Sequence, residues 1–274
     1  MFAQSKPRTT LGSVVALAEL IYHSTVYNLR KTHNNPVIGL FTNVLQTLIL
    51  VVVFYFMMSV LQVRGGALLR GNFLLFVMSG IFLFMTFIKS ISAVAGAEGP
   101  TSPMMKHAPM NTFVAILASA LATLYIQVLS VIVVLFGYHV IVEPLVIYKP
   151  VGAFGMMLLC WFSGCAIGSV FLALTPWFPG PVNIVKQLFI RINMFASGKM
   201  FLANQLPGFM LAMFIWNPLF HIIDQARGFA FINYEPHRTS ITYPLVVSCV
   251  FLVLGLMGEF YTRKHASASW GAKR

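Results

Sequence analysis

The chain has 274 residues, of which 58% are hydrophobic and 9% charged. Ordinary soluble domains carry about 25% charged residues, so a water-soluble globular class is excluded. The formal net charge of +12 would point to nucleic acid in a soluble protein. Here no basic patch interleaved with aromatics supports that partner, and most lysines and arginines flank apolar runs.

Those apolar runs are about 20 residues long, enough to cross a ~30 Å hydrocarbon core as helices. They do not alternate as barrel strands would. The fold class is therefore all-α, a polytopic membrane protein. Residues 1–10 are polar and basic. The next run, 11–22, contains Glu19 and leads into polar sequence instead of a small-residue cleavage site, so the N-terminus is expected to be retained. Residues 11–35 mix apolar positions with Arg30 and Lys31 and read as an amphipathic interface helix. Residues 1–36 then form an N-terminal segment, and 37–274 a single membrane domain.

Six spans are predicted, at 37–62, 72–95, 111–141, 151–175, 182–202 and 241–262. Turn signals separate the first four. They include Arg64-Gly65-Gly66, the proline-bearing stretch Gly96 to Pro109, Glu143-Pro144, Lys149-Pro150 and Pro176 to Pro181. The fifth and sixth spans are joined by residues 203–240. This stretch is too apolar for a solvated loop and too punctuated for two clean spans, so a re-entrant pair of short helices is expected. Within it, Asn217 can cap free N–H groups and Pro218 fits the first helical position, so a helix should begin there, just after Trp216.

Lysine and arginine counts give the orientation. With the N-terminus inside, 11 cations lie on the cytoplasmic side (Lys6, Arg8, Arg30, Lys31, Lys89, Lys106, Lys186, Arg263, Lys264, Lys273, Arg274). Six lie outside (Arg64, Arg70, Lys149, Lys199, Arg227, Arg238). Both termini are then cytoplasmic and 203–240 is external, which leaves Arg191 inside the fifth span.

The six acidic residues are Glu19, Glu98, Glu143, Asp224, Glu235 and Glu259, and none falls mid-span by these boundaries. Ion-coupled carriers usually keep an ionisable group at the midplane, so that class is disfavoured. Arg191 reads either as a cationic position on a translocation path or as an internally paired arginine. Lys186 and Lys199 read as interfacial anchors flanking it. His221, Asp224 and Arg227 recur every three residues and share a helical face. A His–Asp pair lacks a named nucleophile, so a structural Asp224–Arg227 pair is expected. Cys160, Cys165 and Cys249 have no zinc-ligand spacing and read as packing residues. Gly164 and Gly168 form a GxxxG pair suited to close helix contact. Phe41, Tyr55 and Phe195 are aromatics that could stack on sugar rings or face lipid. No phosphate-binding loop is present, since Gly198-Lys199 lacks the upstream Gly and the following Ser/Thr.

Taken together, the N-terminal amphipathic helix, the six spans, the polar loop Glu98 to Asn111, Ser197-Gly198, Leu206-Pro207, Trp216-Asn217-Pro218-Leu219, Arg227 and the basic Arg263-Lys264-His265 resemble a known family. That family is the permease subunit of polysaccharide-exporting ABC transporters, the capsule and O-antigen export type. The resemblance implies a homodimer in the bacterial inner membrane, each permease paired with a separate ATPase subunit that binds ATP and Mg. No cofactor is implied for this chain. It implies a polysaccharide path lined by the first and fifth spans, here Phe41, Tyr55, Lys186, Arg191, Phe195 and Lys199. It implies ATPase coupling through Glu19, Arg30, Lys31, Glu98, Lys106 and His107. The external helix would carry Trp216, Asn217, Pro218, His221, Asp224 and Arg227, with room for a periplasmic or outer-membrane export partner. One departure stands out: family members commonly open the first span with Gly-Tyr-Leu-Trp, where this chain reads Pro36-Val37-Ile38-Gly39-Leu40-Phe41. A basic fifth span would favour an acidic, lipid-linked polymer. Two other readings stay open: a permease for a lipid or drug, and a multispan enzyme acting on lipid-linked sugars through His221, Asp224, Glu235 and His237.

Overall fold

The computed structural model describes residues 10–32, 36–60, 73–99 and 111–265. Every regular element among them is helical. Helix α1 (Thr10–Thr32) precedes α2 (Pro36–Val60), α3 (Phe73–Ala95), α4 (Thr112–Ile141) and α5 (Pro150–Leu174). Then come α6 (Pro179–Ala196), a 3-10 turn (Ala203–Gln205), α7 (Gly208–Phe214), α8 (Pro218–Ala230) and α9 (Thr242–His265).

Five helices, α2, α3, α4, α5 and α9, are long and apolar enough to cross a membrane. Their ends fall within a few residues of the predicted spans. The expected fifth crossing is different. It ends at Ala196 and not at 202, and it is not among the five. At 18 residues it is about 27 Å long at 1.5 Å per residue. Its shortfall is in apolarity, because Asn183, Lys186, Gln187, Arg191 and Asn193 dilute it.

The core is built on α3 and α5. Phe76, Phe87 and Ile91 of α3 and Cys160 of α5 are fully shielded. Two glycines set the spacing. A Cβ on Gly164 would lie 2.7 Å from the Phe87 carbonyl oxygen, and one on Gly168 would lie 2.9 Å from that of Ile91. The GxxxG pair thus does pack α5 on α3. Gly255 of α9 meets Ser169 on the far face of α5 in the same way. The Cys160 thiol donates to the Leu83 carbonyl at 3.0 Å, and the Trp161 indole N–H donates to the Ala120 carbonyl at 2.8 Å, which ties α5 to α3 and α4. Cys160 and Cys165 are buried as packing residues, whereas Cys249 is exposed. The N-terminal helix lies along α4, where the Asn28 amide donates to the Ser119 hydroxyl at 3.2 Å.

Chain direction fixes two ends of the bundle. The start of α3 meets α8, through Phe76 and Arg227. Its far end meets α1, since Ser92 and Gly96 share a cavity wall with Tyr27 and Asn28.

Gly168→Val should separate α3 from α5 and cost about 1–3 kcal/mol, the range for overpacking a tight contact. Gly155→Ala, whose new Cβ meets nothing within 4 Å, should instead be neutral or gain up to about 1 kcal/mol. Thermal midpoints in detergent check both directions.

Candidate functional site

Three sets of residues carry the functional reading. The first surrounds α8. Asn217 precedes the helix as expected: its side-chain oxygen accepts the Leu219 N–H at 3.0 Å, and Pro218 occupies the first position. Its amide also donates to the Asn193 side chain and to the Ala196 carbonyl, both at 2.9 Å, which fastens α8 to the end of α6. Trp216 just ahead is 62% exposed. Its carbonyl accepts the Tyr243 hydroxyl at 2.6 Å.

His221 is buried, and both ring nitrogens are engaged. Nδ1 accepts the Ser240 N–H at 3.1 Å. An accepting Nδ1 assigns the proton to Nε2, which donates to the Ile215 carbonyl at 2.6 Å. No nitrogen is left to take a proton from a nucleophile, so His221 is not free to act as the base in the reading as an enzyme on lipid-linked sugars.

Asp224 and Arg227 do not form the expected direct pair. Among the described residues the ion pair within 4 Å is His23–Glu19, at 3.7 Å on the exposed face of α1. Each buried charge instead serves backbone. The Asp224 carboxylate accepts the Ala203 N–H at 3.1 Å, the Tyr234 hydroxyl, and the Thr239 hydroxyl at 2.8 Å. Arg227 donates to the carbonyls of Gly198 (2.9 Å), Phe201 (2.8 Å) and Lys199 (2.6 Å), with its guanidinium 4.0 Å above the Phe76 ring. Burial lowers the Arg227 pKa to about 10, with the Asp224 charge acting the other way. It therefore stays cationic at neutral pH. Burial, then the Asp224 charge, pushes the Tyr234 hydroxyl well above its ordinary range, so Tyr234 remains a donor. The spacing of three residues was visible in the sequence; the carbonyls that Arg227 reaches were not.

The second set is the expected path. Phe41 and Phe195 are 65% and 62% exposed. Tyr55 is also exposed, with its ring 5.5 Å from Phe73. Arg191 is exposed and Lys186 half-buried. Phe189 of α6 stacks near Phe87 of α3 and Phe171 of α5, which puts Arg191 level with the middle of α3. Lys199 corrects the expectation. It is neither an interfacial anchor nor exposed on a path, being 2% exposed. Gly198, at φ 74°, turns the chain inward. The ammonium then lies 3.6 Å from the Phe84 ring centre and 4.2 Å from that of Phe54. Burial lowers the Lys199 pKa to about 7, and its Nζ bridges α2 and α3 through these ring faces, which attract its protonated form. Sequence hydropathy could not have shown this, because the inward turn lies outside any helix.

The third set is the expected coupling surface. Glu19 and Arg30 are exposed on α1, and Glu98 is half-buried just after α3. Glu98 shares a cavity wall with Tyr27 and Asn28, so α1 and the segment after α3 are brought together. Lys106, His107 and the Lys31 side chain lie outside the described residues.

Comparison with known proteins adds a family and two relatives. A family model described as "ABC-2 type transporter" matches residues 19–231. Two Escherichia coli proteins named "Polysialic acid transport protein KpsM" are similar to this chain. They are 25% and 24% identical over 199 residues, each alignment covering 71% of this chain and 75% of the relative.

Arg227→Lys should fail to replace the arginine. An ammonium is a point donor and cannot reach three carbonyls from one plane. Arg227→Met, which takes the guanidinium donors from the Lys199 and Phe201 carbonyls and leaves Gly198 only its bond from the Phe201 N–H, should cost about 3 kcal/mol or more. Unfolding of the purified chain, read against Trp216→Ala as an exposed control, measures both.

Proposed function

The chain belongs to the ABC-2 type transporter family, and on that premise we propose that it is the transmembrane permease subunit of a polysaccharide exporter in a bacterial inner membrane. ATP, with Mg, would be hydrolysed by a separate ATPase subunit. Two permeases would pair, and the polymer would pass between them.

Arg191 is the observation that carries this reading. An arginine facing lipid at mid-bundle depth costs at least ~2.5 kcal/mol on insertion scales. Yet Arg191 is exposed on α6, and Phe195 one turn further on is exposed beside it. A face of this kind calls for a water-filled or protein-lined surround. A second copy facing α6 and α2 would supply one. The exposed aromatics Phe41, Tyr55 and Phe195 would then offer sugar-stacking surfaces, with Arg191 and Lys186 as cations for an acidic, lipid-linked polymer. The two relatives named for polysialic acid, a polyanion, agree with that charge.

On this reading α6 is the fifth of six crossings, shielded from lipid by its partner. The turn at 197–202, buried beside Gly80 of α3, begins an external re-entrant segment that runs through α7 and α8. Both termini then lie in the cytoplasm. The ATPase would couple through α1 and the residues after α3, and an outer-membrane export partner would meet the exposed Trp216 end.

Gentle extraction of a tagged chain tests the proposal. ATP hydrolysis should co-purify with a second polypeptide, and replacing residues 98–109 by a Gly/Ser linker should remove it. A chain that carries no ATPase even after cross-linking would falsify the permease assignment. Arg191→Ala should lower export of an acidic polymer several-fold without releasing the ATPase. Unchanged export would remove Arg191 from the path.

A further inference from the structure

A second polar feature lies at the α1 end of the bundle, within one chain. Two cavities of about 390 and 450 Å³ adjoin there, sharing the walls Leu29, Ser92, Ala93, Thr123 and Ile126. The larger is an open cleft between α2, α3 and α4, with Leu29 of α1 at its edge. Its polar wall is Asn43, Gln46, Lys89, Ser92, Thr123 and Gln127. Its other wall is apolar: Val37, Leu40, Tyr125 and Leu129. The combined size is in the range of small-molecule sites.

Lys89 is the reason to expect a ligand. It stands six residues before the end of α3 at Ala95, about 9 Å inside the helix end at 1.5 Å per residue. Its ammonium donates to the Gln46 side-chain oxygen at 2.6 Å. That partner is a neutral amide, and among the described residues Lys89 makes no ion pair. A cation at this depth is ordinarily paired or lines a wet cavity. The surrounding dipoles are held in place. Asn43 donates to the Ser130 hydroxyl at 2.7 Å and accepts from Gln127 at 3.3 Å, so this wall is built before anything binds. The one carboxylate nearby, Glu98, lines the neighbouring smaller cavity and not the chamber that holds Lys89.

We propose that this chamber binds the phosphate of an anionic membrane lipid. Lys89 supplies the charge, Gln46 and Ser92 supply hydrogen bonds, and the acyl chains lie on Val37, Leu40, Tyr125 and Leu129. The chamber combines polar and apolar lining side chains about 9 Å inside a helix end, and a phospholipid likewise combines a polar head with apolar chains. A free phosphate would use Lys89 equally well but would leave the apolar wall bare. The chamber adjoins the α2 face assigned to the polymer, since Val37 stands one turn before Phe41, but the proposal rests on Lys89 and does not depend on that assignment.

Native mass spectrometry of the purified chain, with any subunit that accompanies it, tests this after equilibration with mixed phosphatidylglycerol and phosphatidylcholine vesicles. The wild type should retain one phosphatidylglycerol at a preference of about tenfold or more. That preference should vanish in Lys89→Met, persist in Lys89→Arg, and be unchanged in Lys149→Met at the opposite end. Ser92→Leu fills the chamber while keeping Lys89, and should also abolish retention, which covers the case in which Lys89→Met does not fold. Equal retention of both lipids by the wild type, or an undiminished preference in both Lys89→Met and Ser92→Leu, overturns the proposal. Displacement of the lipid by 10 mM inorganic phosphate, on the order of a cellular phosphate level, overturns the lipid source in favour of a soluble anion.

Discussion

One buried cation holds the end of this bundle together. Arg227 gathers three carbonyls, from Gly198, Lys199 and Phe201, around a guanidinium that is almost wholly shielded. Those carbonyls belong to a turn with no helical partners of its own, and buried backbone oxygens left unpaired are costly. Arginine answers this because its fork presents several donors in one plane. Two glycines make room. A Cβ on Gly80 would sit 2.8 Å from the Lys199 Cβ and 2.9 Å from an Arg227 nitrogen, and one on Gly198 would strike the Phe220 ring at 2.5 Å. Asp224, one turn earlier, performs the opposite service by accepting the Ala203 N–H together with Tyr234 and Thr239. The irregular segment between α6 and α9 can therefore lie deep within protein without stranding its backbone, as non-helical chain at membrane depth requires.

Packing is uneven around this knot. The α3 and α5 helices are largely buried, while α2 and α6 turn long apolar faces outward, Phe41, Val52, Phe56, Ile184, Leu188 and Phe195 among them. Lipid can cover apolar side chains at no loss, so exposure alone decides nothing. Arg191 on the same face decides more, since lipid cannot solvate it. The division leaves α3 and α5 packed within the chain, while α2 and α6 keep open faces on which the proposed second copy would sit.

Much of this was legible in the sequence, for physical reasons. Span positions follow from apolar run length, which the bilayer fixes, and the predicted edges of α2, α3, α4, α5 and α9 agree with the structure to within a few residues. The start of α8 follows from Asn217-Pro218, a local signal that needs no tertiary context. The close α3–α5 contact follows from Gly164 and Gly168. Other features depend on long-range contact and were not legible. Lys199 reads as an anchor until Gly198 turns it toward Phe54 and Phe84. Asp224 and Arg227 read as a pair until the backbone around 198–203 is seen to need both. The chamber at Lys89 arises from residues on three spans, none of them unusual alone.

The two ends of α3 finally explain each other. Near its start, Phe76 and Gly80 receive Arg227. Near its finish, Lys89 and Ser92 face the polar chamber under α1. Between them Phe87 and Ile91 lock onto α5 through Gly164 and Gly168, contacts too close to slide without collision. Close packing along α3 offers a contiguous route from the α1 end to the knot at the other end. There the knot is tied to α6 through Asn217, Asn193 and Ala196. Those hydrogen bonds connect α6, whose outer face is open, to α8, whose inner face is buried against α3 and α5. Movement at the α1 end would therefore pass through α3 and the knot before it reached the Arg191 face of α6.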